Sequence, residues 1–401
     1  MATEGKGTVL TRRFGKTELH PTVLTFGAMR IPPGSDEEPE SARDRAMSTL
    51  RRALDVGINH IETARGYGAS EELIGAAIAE GVIHRDEFIL TTKIPPMESA
   101  DEFRSALDDS LRRMNVTHVD NLDIHGINTR NLLQMAVNPK GTMQAVRKAM
   151  DEGLVRHLGF ATHAPLEVII ETIGTDEFES VNLHYYMINR RNRAAVELAA
   201  SKDMGVFIIS PTDKGGQLFK PPQRLVELCA PFGPIELNQR WLLAQPEVHT
   251  LSVGAGRPEE FDAHLIGVQR DGPLGPEEME AVTRFDRAVD VLGNTYCSFC
   301  HECLPCPEDV HIPEILRLRN LALAYGMTEF GQYRYGMFVR FDETTGGKVG
   351  GAGHWFPGTQ GDFCTRCNEC LPRCPLNLAI PDLLAEAHTM LSGRAGKRLW
   401  K

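Results

Sequence analysis

"GINHIETARGYGASEELIGAAI", residues 57–78, holds the alternation on which the fold turns. The run "NHIETA" is rich in residues that suit a strand. A turn bracketed by glycines, "RGYG", follows it, and "SEELIGAAIAEG" then has the apolar spacing of an amphipathic helix closing on glycine. This is one strand–helix unit, with Glu62 near the end of its strand and Tyr67 in its turn.

The same rhythm extends in both directions, from about residue 22 to 267. Strands are predicted at "TVLTFGAM", "NHIETA", "EFILTTKI", "VDNLDIHG", "VRHLGFATH", "SVNLHYY", "GVFIISPT" and "HTLSVGAG", each followed by a helical pattern such as "TMQAVRKAMDEG". Eight such units in about 250 residues predict an α/β fold, a TIM-type (β/α) eight-stranded barrel. A doubly wound sheet would place a glycine-rich G-x-G-x-x-G turn after its first strand, and none stands there. The leading segment "TVLTRRFGKTEL" predicts a hairpin capping the barrel bottom, and "GPEEMEAVTRFDRAVDVLG" a helix leading out.

At 401 residues the chain exceeds the roughly 250–300 at which one hydrophobic core stops growing, so a second, smaller domain is expected. The division is drawn as a barrel over 1–290 and a small, mainly helical domain over 291–401. In the latter, "IPEILRLRNLALAYG" and "IPDLLAEAHTML" follow the two cysteine runs, and the glycine-rich "DETTGGKVGGAGHWFPGTQGD" reads as a surface loop. The net charge of −11, with no long run of Lys or Arg, excludes nucleic acid and anionic membrane surfaces as partners. No run of 18 apolar residues and no apolar N-terminal leader are present, which predicts a cytoplasmic protein.

Barrel enzymes carry their reactive groups at the C-terminal ends of strands. Three neighbouring strand ends offer an acid–base set: Glu62 and Tyr67 after the second, Lys93 at the third, His125 at the fourth. A phenol, with a pKa near 10 when unperturbed, becomes a useful acid at neutral pH only beside a cation that stabilises its anion. Lys93 can supply that charge, Glu62 can hold the ammonium, and His125 can orient a substrate oxygen. Tyr67 is left to give a proton to a carbonyl or take one from an alcohol. Singly, each of these residues is as well explained as a loop aromatic, a strand-end lysine or a satisfied histidine.

The segment 57–78 resembles the signature around the catalytic tyrosine of the aldo-keto reductases. "FILTTKI", "LDIHGIN", "VRHLGFATH", "VNLHYY" and "PIELNQRWLLAQPEVHTLSVGAGRPEEFDAHL" follow in that family's order. The resemblance covers residues 10 to 270. It implies hydride exchange between NAD(H) or NADP(H) and a small carbonyl or alcohol substrate, with a tetrad of Tyr67, Lys93, His125 and Glu62. Glu62 stands where the family has an aspartate, one methylene shorter. By the same matching Thr162, His163 and Asn182 fall at nicotinamide contacts, with His163 replacing an asparagine. The loop from Ser210 to Gly216 falls at the start of the pyrophosphate contacts, and Gly254, Arg257 and Glu260 in the cofactor-phosphate region. Many NADP-dependent members have an arginine where this chain has Glu260, and a carboxylate there would repel a 2′-phosphate, so NAD(H) is expected to bind at least as well as NADP(H).

Eight of the nine cysteines lie in two runs, and Cys229 stands alone. Cys297, Cys300, Cys303 and Cys306 form the first; Cys364, Cys367, Cys370 and Cys374, followed by Pro375, form the second. The second has the C-x₂-C-x₂-C-x₃-C-P spacing in which three thiolates hold one iron–sulfur cluster and the fourth crosses to another. Two [4Fe–4S] clusters are therefore expected, one on Cys297, Cys300, Cys303 and Cys374, the other on Cys364, Cys367, Cys370 and Cys306. Two zinc sites remain the alternative, because thiolate sets suit either metal. The helical segments between the runs resemble the α-helical ferredoxin type, and the whole chain resembles an aldo-keto reductase fused to such a domain. Clusters beside a hydride enzyme imply an electron-transfer partner protein or redox sensing. Two other readings stand alongside: a binding or regulatory protein with little turnover, and a plain carbonyl reductase with a zinc tail.

Overall fold

The structure, a computed structural model, describes residues 9–33, 37–342, 347–350 and 358–393. The eight expected strands form a closed parallel barrel in sequence order. They are β1 (Leu24–Gly27), β2 (His60–Glu62), β3 (Ile89–Ile94), β4 (Val119–His125), β5 (Val155–Ala161), β6 (Ser180–Leu183), β7 (Gly205–Ile208) and β8 (Thr250–Val253). Each lies within its predicted run, and β8 closes on β1 with Leu24 opposite Leu251 and Phe26 opposite Val253. The strands are buried because helices cover them outside while side chains fill them inside, so both faces must satisfy a core.

Helices form between strands where amphipathic spacing coincides with proper ends. Ala100–Arg113 shows the pattern: the Ser99 hydroxyl accepts from the Glu102 amide at 3.3 Å, Asp101 and Glu102 occupy the first turn, and Arg112 and Arg113 the last. The leading segment pairs with the start of the barrel through a Thr11–Thr22 bridge and turns through a short 3₁₀ helix at Gly15–Thr17. It plugs the bottom of the barrel as expected. A Cβ at Gly205, the first residue of β7, would meet the Phe14 ring at 2.7 Å, so the plug needs a glycine at that strand start.

The interior near the bottom is polar but ordered. Thr250 Oγ1 donates to the Thr22 carbonyl (2.8 Å), so Thr25 must donate to Thr250 (2.8 Å) and accept from His60 Nδ1 (2.7 Å). His60 Nε2 then accepts from the Thr91 hydroxyl at 2.8 Å. This one-way chain needs a neutral imidazole, and burial pushes the His60 pKa down to about 3.

Two compact units make up the chain. The barrel unit runs to Gly215 and resumes over Asn238–Leu274; the other joins Gly216–Leu237 to the chain from Gly275 onward. The division thus differs from a single cut near residue 290. An excursion after β7 belongs with the C-terminal part because it is bonded to it. Arg284 donates to the Leu228 carbonyl (3.0 Å), and Arg224 to the Ala324 carbonyl (2.7 Å). The helix Ile312–Tyr325 forms the second unit's centre, buried almost throughout and ended by Gly326 at φ 69°. It packs on Thr328–Tyr335 and Ile380–Leu391. The glycine-rich stretch is not all loop: β9 (Val339–Asp342) and β10 (Gly347–Gly350) pair antiparallel. Its residues 343–346 and 351–357 lie outside the described residues. Among the described residues no helix is long and apolar enough to cross a membrane.

Candidate active site and cysteine clefts

Register brings the acid–base set together. Glu62 pairs with Thr91 across β2 and β3, and Lys93 with Asp123 across β3 and β4, which sets the inward side chains of three adjacent strands side by side. Lys93, 1% exposed, contacts Glu62 Oε2 and donates to the Thr63 carbonyl at 2.9 Å. Its ammonium lies 4.9 Å from the centroid of the Tyr67 ring, and the His125 ring meets that of Tyr67 edge-on at 5.8 Å. Burial lowers the Lys93 pKa to about 7, with the Asp123 carboxylate opposing.

The turn carrying Tyr67 is pinned at both ends. Ser70 Oγ donates to the Ala28 carbonyl (2.9 Å), so the Thr63 hydroxyl donates to Ser70 (2.8 Å). Between them Arg65 is paired with Asp109 at 2.6 Å. A side chain on so short and tethered a turn is held in place before any substrate arrives.

Glu62 is longer than the family's aspartate, and the barrel makes room for it. Gly27, its register partner on β1, lacks a Cβ that would lie 3.0 Å from Glu62 Oε1 and 2.6 Å from Ser252 Oγ. The Ser252 hydroxyl donates to Glu62 Oε1 at 2.7 Å, leaving Oε2 for Lys93. Neither Gly27 nor Ser252 was marked by sequence reasoning, although their places at adjacent strand ends would have supported it.

The residues matched to cofactor contacts divide into groups. Asn182, 3% exposed at the end of β6, has an Oδ1 with no hydrogen-bond partner. An orphaned buried acceptor is what the carboxamide N–H of a nicotinamide would satisfy, so this position fits the cofactor. Thr162 instead uses its hydroxyl locally, donating to the Ile127 carbonyl (2.7 Å) and accepting from the Ala164 amide (3.0 Å). His163 starts a chain across the barrel mouth: its Nδ1 lies 2.5 Å from His184 Nε2, and His184 Nδ1 2.5 Å from the Tyr186 hydroxyl. Ser210 has φ 43°, and Gly216, φ 124°, begins the second unit. After β8, Gly254 accepts from Arg30 at 2.9 Å through its carbonyl, and Arg257 is exposed at the head of the 3₁₀ helix Pro258–Phe261. Glu260 is not an isolated carboxylate: Arg30 pairs with it at 2.5 Å and the Gly256 amide donates to it at 3.0 Å. Its repulsion of a 2′-phosphate is correspondingly weakened.

In the second unit the eight clustered cysteines line two clefts. Cys297, Cys300, Cys303 and Cys374 line one; Cys306, Cys364, Cys367 and Cys370 line the other. Each cleft thus takes three cysteines from one run and one from the other. Arg373 ties the two runs, donating to the carbonyls of Glu369 (3.0 Å) and Pro305 (2.9 Å). Burial pushes the Cys297 thiol up to about 11 and Cys303 to about 12. Among the described residues no group of three or more His, Cys, Asp or Glu side chains is placed to hold a metal ion. Cys229 is buried apart from both clefts and its thiol is raised to about 12, consistent with a small apolar filler.

Residues 23–287 match the model of the aldo/keto reductase family, a match that ends before the first cysteine run. L-galactose dehydrogenase of Arabidopsis thaliana is 26% identical over 320 residues, covering 73% of this chain and 98% of that protein. Methylglyoxal reductase DkgB of Salmonella typhi is 31% identical over 248 residues, 61% of this chain and 88% of that one. Among solved structures, the holo form of aldo-keto reductase AKR11C1 from Bacillus halodurans superposes with a TM-score of 0.59 at 24% identity. It covers 69% of this chain and 96% of its own, a likeness of fold.

Proposed function

Because the chain belongs to the aldo/keto reductase family, we propose that it is a cytoplasmic NAD(P)-dependent oxidoreductase interconverting a small carbonyl and its alcohol, with two [4Fe–4S] clusters in its second unit. The observation that carries the catalytic part is the buried Lys93 between Glu62 and the Tyr67 ring, with His125 against that ring.

When bound, the nicotinamide donates or accepts the hydride. Tyr67 gives its phenolic proton to the substrate oxygen in reduction, or takes the alcohol's proton in the reverse direction. Lys93 stabilises the phenolate that results, and its burial strengthens that effect by excluding water. Glu62, held by Ser252, fixes the ammonium in place. His125 orients the substrate oxygen towards Tyr67. Asn182 Oδ1 would accept from the carboxamide of a bound nicotinamide and so help to orient it.

The cluster part rests on the composition of the two clefts. Cys297, Cys300, Cys303 and Cys374 would hold one cluster and Cys364, Cys367, Cys370 and Cys306 the other, the pairing that the C-x₂-C-x₂-C-x₃-C spacing implies. Each cluster, when bound, exchanges single electrons, which points to an electron-transfer partner protein or to redox sensing.

Anaerobically purified protein, analysed for iron and acid-labile sulfide and screened against carbonyls with both nicotinamides, tests both parts. Tyr67→Phe is expected to lower carbonyl reduction about 10²–10⁴-fold while nicotinamide still quenches protein fluorescence. Near-normal turnover in that variant refutes the tetrad, and stoichiometric zinc without sulfide refutes the clusters.

A further inference from the structure

One buried carboxylate in the barrel is not used by the tetrad. Asp123 lies on β4, two residues before His125, so both side chains face the interior, and it is the register partner of Lys93 on β3. It is 1% exposed. Its Oδ1 accepts from Asn121 Nδ2 at 2.8 Å, whereas its Oδ2 has no hydrogen-bond partner. The seat is cut to fit: at Gly159, its register partner on β5, a Cβ would lie 2.4 Å from Asp123 Oδ1 and 2.2 Å from Ser180 Oγ. A carboxylate so enclosed, with one oxygen unsatisfied, is costly to the fold unless a nearby cation offsets it. Lys93 is the charged group beside it.

We propose that Asp123 is a second positioning carboxylate for Lys93, acting with Glu62 from the opposite strand so that the ammonium stays charged beneath Tyr67. The proposal rests on the tetrad reading and deepens it. Burial alone would discharge a lysine 1% exposed, and a neutral amine cannot lower the pKa of a phenol. Glu62 contacts the ammonium from β2, while Asp123, the register partner of Lys93 on β4, acts on it through its charge and not through an ion-pair contact.

The electrostatics agree with the geometry. Burial raises the Asp123 carboxyl to about 6, with Lys93 as the largest opposing influence, and the Asp123 charge in turn opposes the burial-driven fall at Lys93. The other titratable groups around Asp123 are accounted for. Glu62 and His60 come from β2, and His125 from β4 itself. Asp120 points outward, bound to Arg85 (2.6 Å) and Arg156 (2.7 Å). β5 presents Gly159, and β6 the uncharged Ser180 and Asn182, of which Asn182, with Asn121, also lowers the Asp123 pKa but less than Lys93 does. Among the described residues on these strands, Lys93 is the lysine or arginine that is register partner to Asp123.

Asp123→Asn removes the charge but keeps an oxygen for Asn121. If Asp123 holds Lys93 charged, the alkaline limb of the pH profile of kcat/KM for carbonyl reduction moves to lower pH by about one unit or more, with nicotinamide affinity unchanged. An isotope-labelled Lys93 Cε resonance shows the same displacement. In the wild type that resonance has a second inflection as Asp123 titrates, a measurement that needs no variant to fold. An unmoved limb and an unmoved Lys93 titration in Asp123→Asn, or a wild-type resonance blind to Asp123, overturns the proposal. Normal turnover of Tyr67→Phe instead sinks the tetrad reading, and the lysine titration still decides whether Asp123 and Lys93 are coupled.

Discussion

In the barrel, Glu62, Lys93 and His125 stand on strands whose backbones are fixed by neighbours on both sides, and the turn bearing Tyr67 is tied at both ends. In the second unit the eight cysteines stand on loops. Phe299, His301, Asp309, Arg366, Asn368 and Asn377 all have positive φ there. Left-handed backbone costs most non-glycine residues roughly 1–2 kcal/mol but less for Asn, Asp and His, which hold four of these six positions, so Phe299 and Arg366 carry the larger cost. The barrel site is ordered by the fold it sits on. On the proposed cluster reading, thiolate–iron bonds would supply the order in the cysteine clefts.

Cluster removal puts that contrast under the greatest load. Stripping iron with a chelator under reducing conditions is expected to cost the second unit on the order of 10 kcal/mol, enough to unfold it, while the barrel's melting transition stays in place. Single substitutions refine this. Cys306→Ser should deplete the cluster of the second run, and Cys374→Ser that of the first, as seen by iron content and low-temperature EPR. A second unit equally protease-resistant with and without iron would erase the distinction between the two kinds of site.

This contrast also explains what could be read from the sequence. The strands were legible because each is a short apolar run closed by turn residues, and Tyr67, Lys93 and His125 because their chemistry is out of place at strand ends. The crossed cysteine sets were expected from the spacing of the second run, and the same two groups of four line the two clefts, although among the described residues no three of these side chains are placed to hold a metal ion. What was not legible depends on register across the barrel. Gly27 and Ser252 matter only because they lie beside Glu62, and Asp123 only because it lies beside Lys93. Arg30, far from Glu260 in sequence, neutralises it. The excursion over Gly216–Leu237 carries no compositional mark of its attachment to the second unit.

Acid should attack the barrel through its buried histidines, independently of cluster content. Burial lowers His60 to about 3 and His249 and His264 to about 4. Between 6.5 and these values the unfolded chain binds more protons than the native one, so stability falls as pH falls. The loss is roughly 2 kcal/mol for each histidine at pH 5. Asp123, raised to about 6, and Glu71, also raised by burial, act in the opposite direction over the same range, two groups against three. Denaturant midpoints measured from pH 7 to 4.5 should show the decline, and His60→Gln should flatten it. A slope that follows iron content instead would place the acid weakness in the second unit.

A smaller effect tests how tightly the barrel holds Glu62. In Gly27→Ala the new methyl would lie 2.6 Å from Ser252 Oγ and 3.0 Å from Glu62 Oε1, so one of them must move. The expected outcome is a loss of about 1–3 kcal/mol in stability and a fall in kcat without a matching rise in KM. Removing the obstructing hydroxyl as well, in Gly27→Ala with Ser252→Ala, should restore part of the stability but not the rate, because Glu62 then lacks its donor. Full recovery of both would show that Ser252 contributes bulk and not positioning.

The smallest effect concerns the choice of nicotinamide. Glu260 alone would argue for NAD(H), since a carboxylate repels a 2′-phosphate. Yet Arg30 and the Gly256 amide already engage that carboxylate, and both members of the Arg30–Glu260 pair are about one-third exposed. Water screens such a pair, so its contribution is of the order of 0.2–1 kcal/mol. The consequence is a preference for NAD(H) of only a few-fold. Glu260→Gln should erode that preference and Glu260→Arg reverse it, because each leaves the Arg30 guanidinium available to a phosphate. Fluorescence titration of each protein with NADH and NADPH measures the ratio. A wild type that strongly prefers NADPH would mean that Arg30 and not Glu260 governs the site, and Arg30→Ala should then abolish that preference.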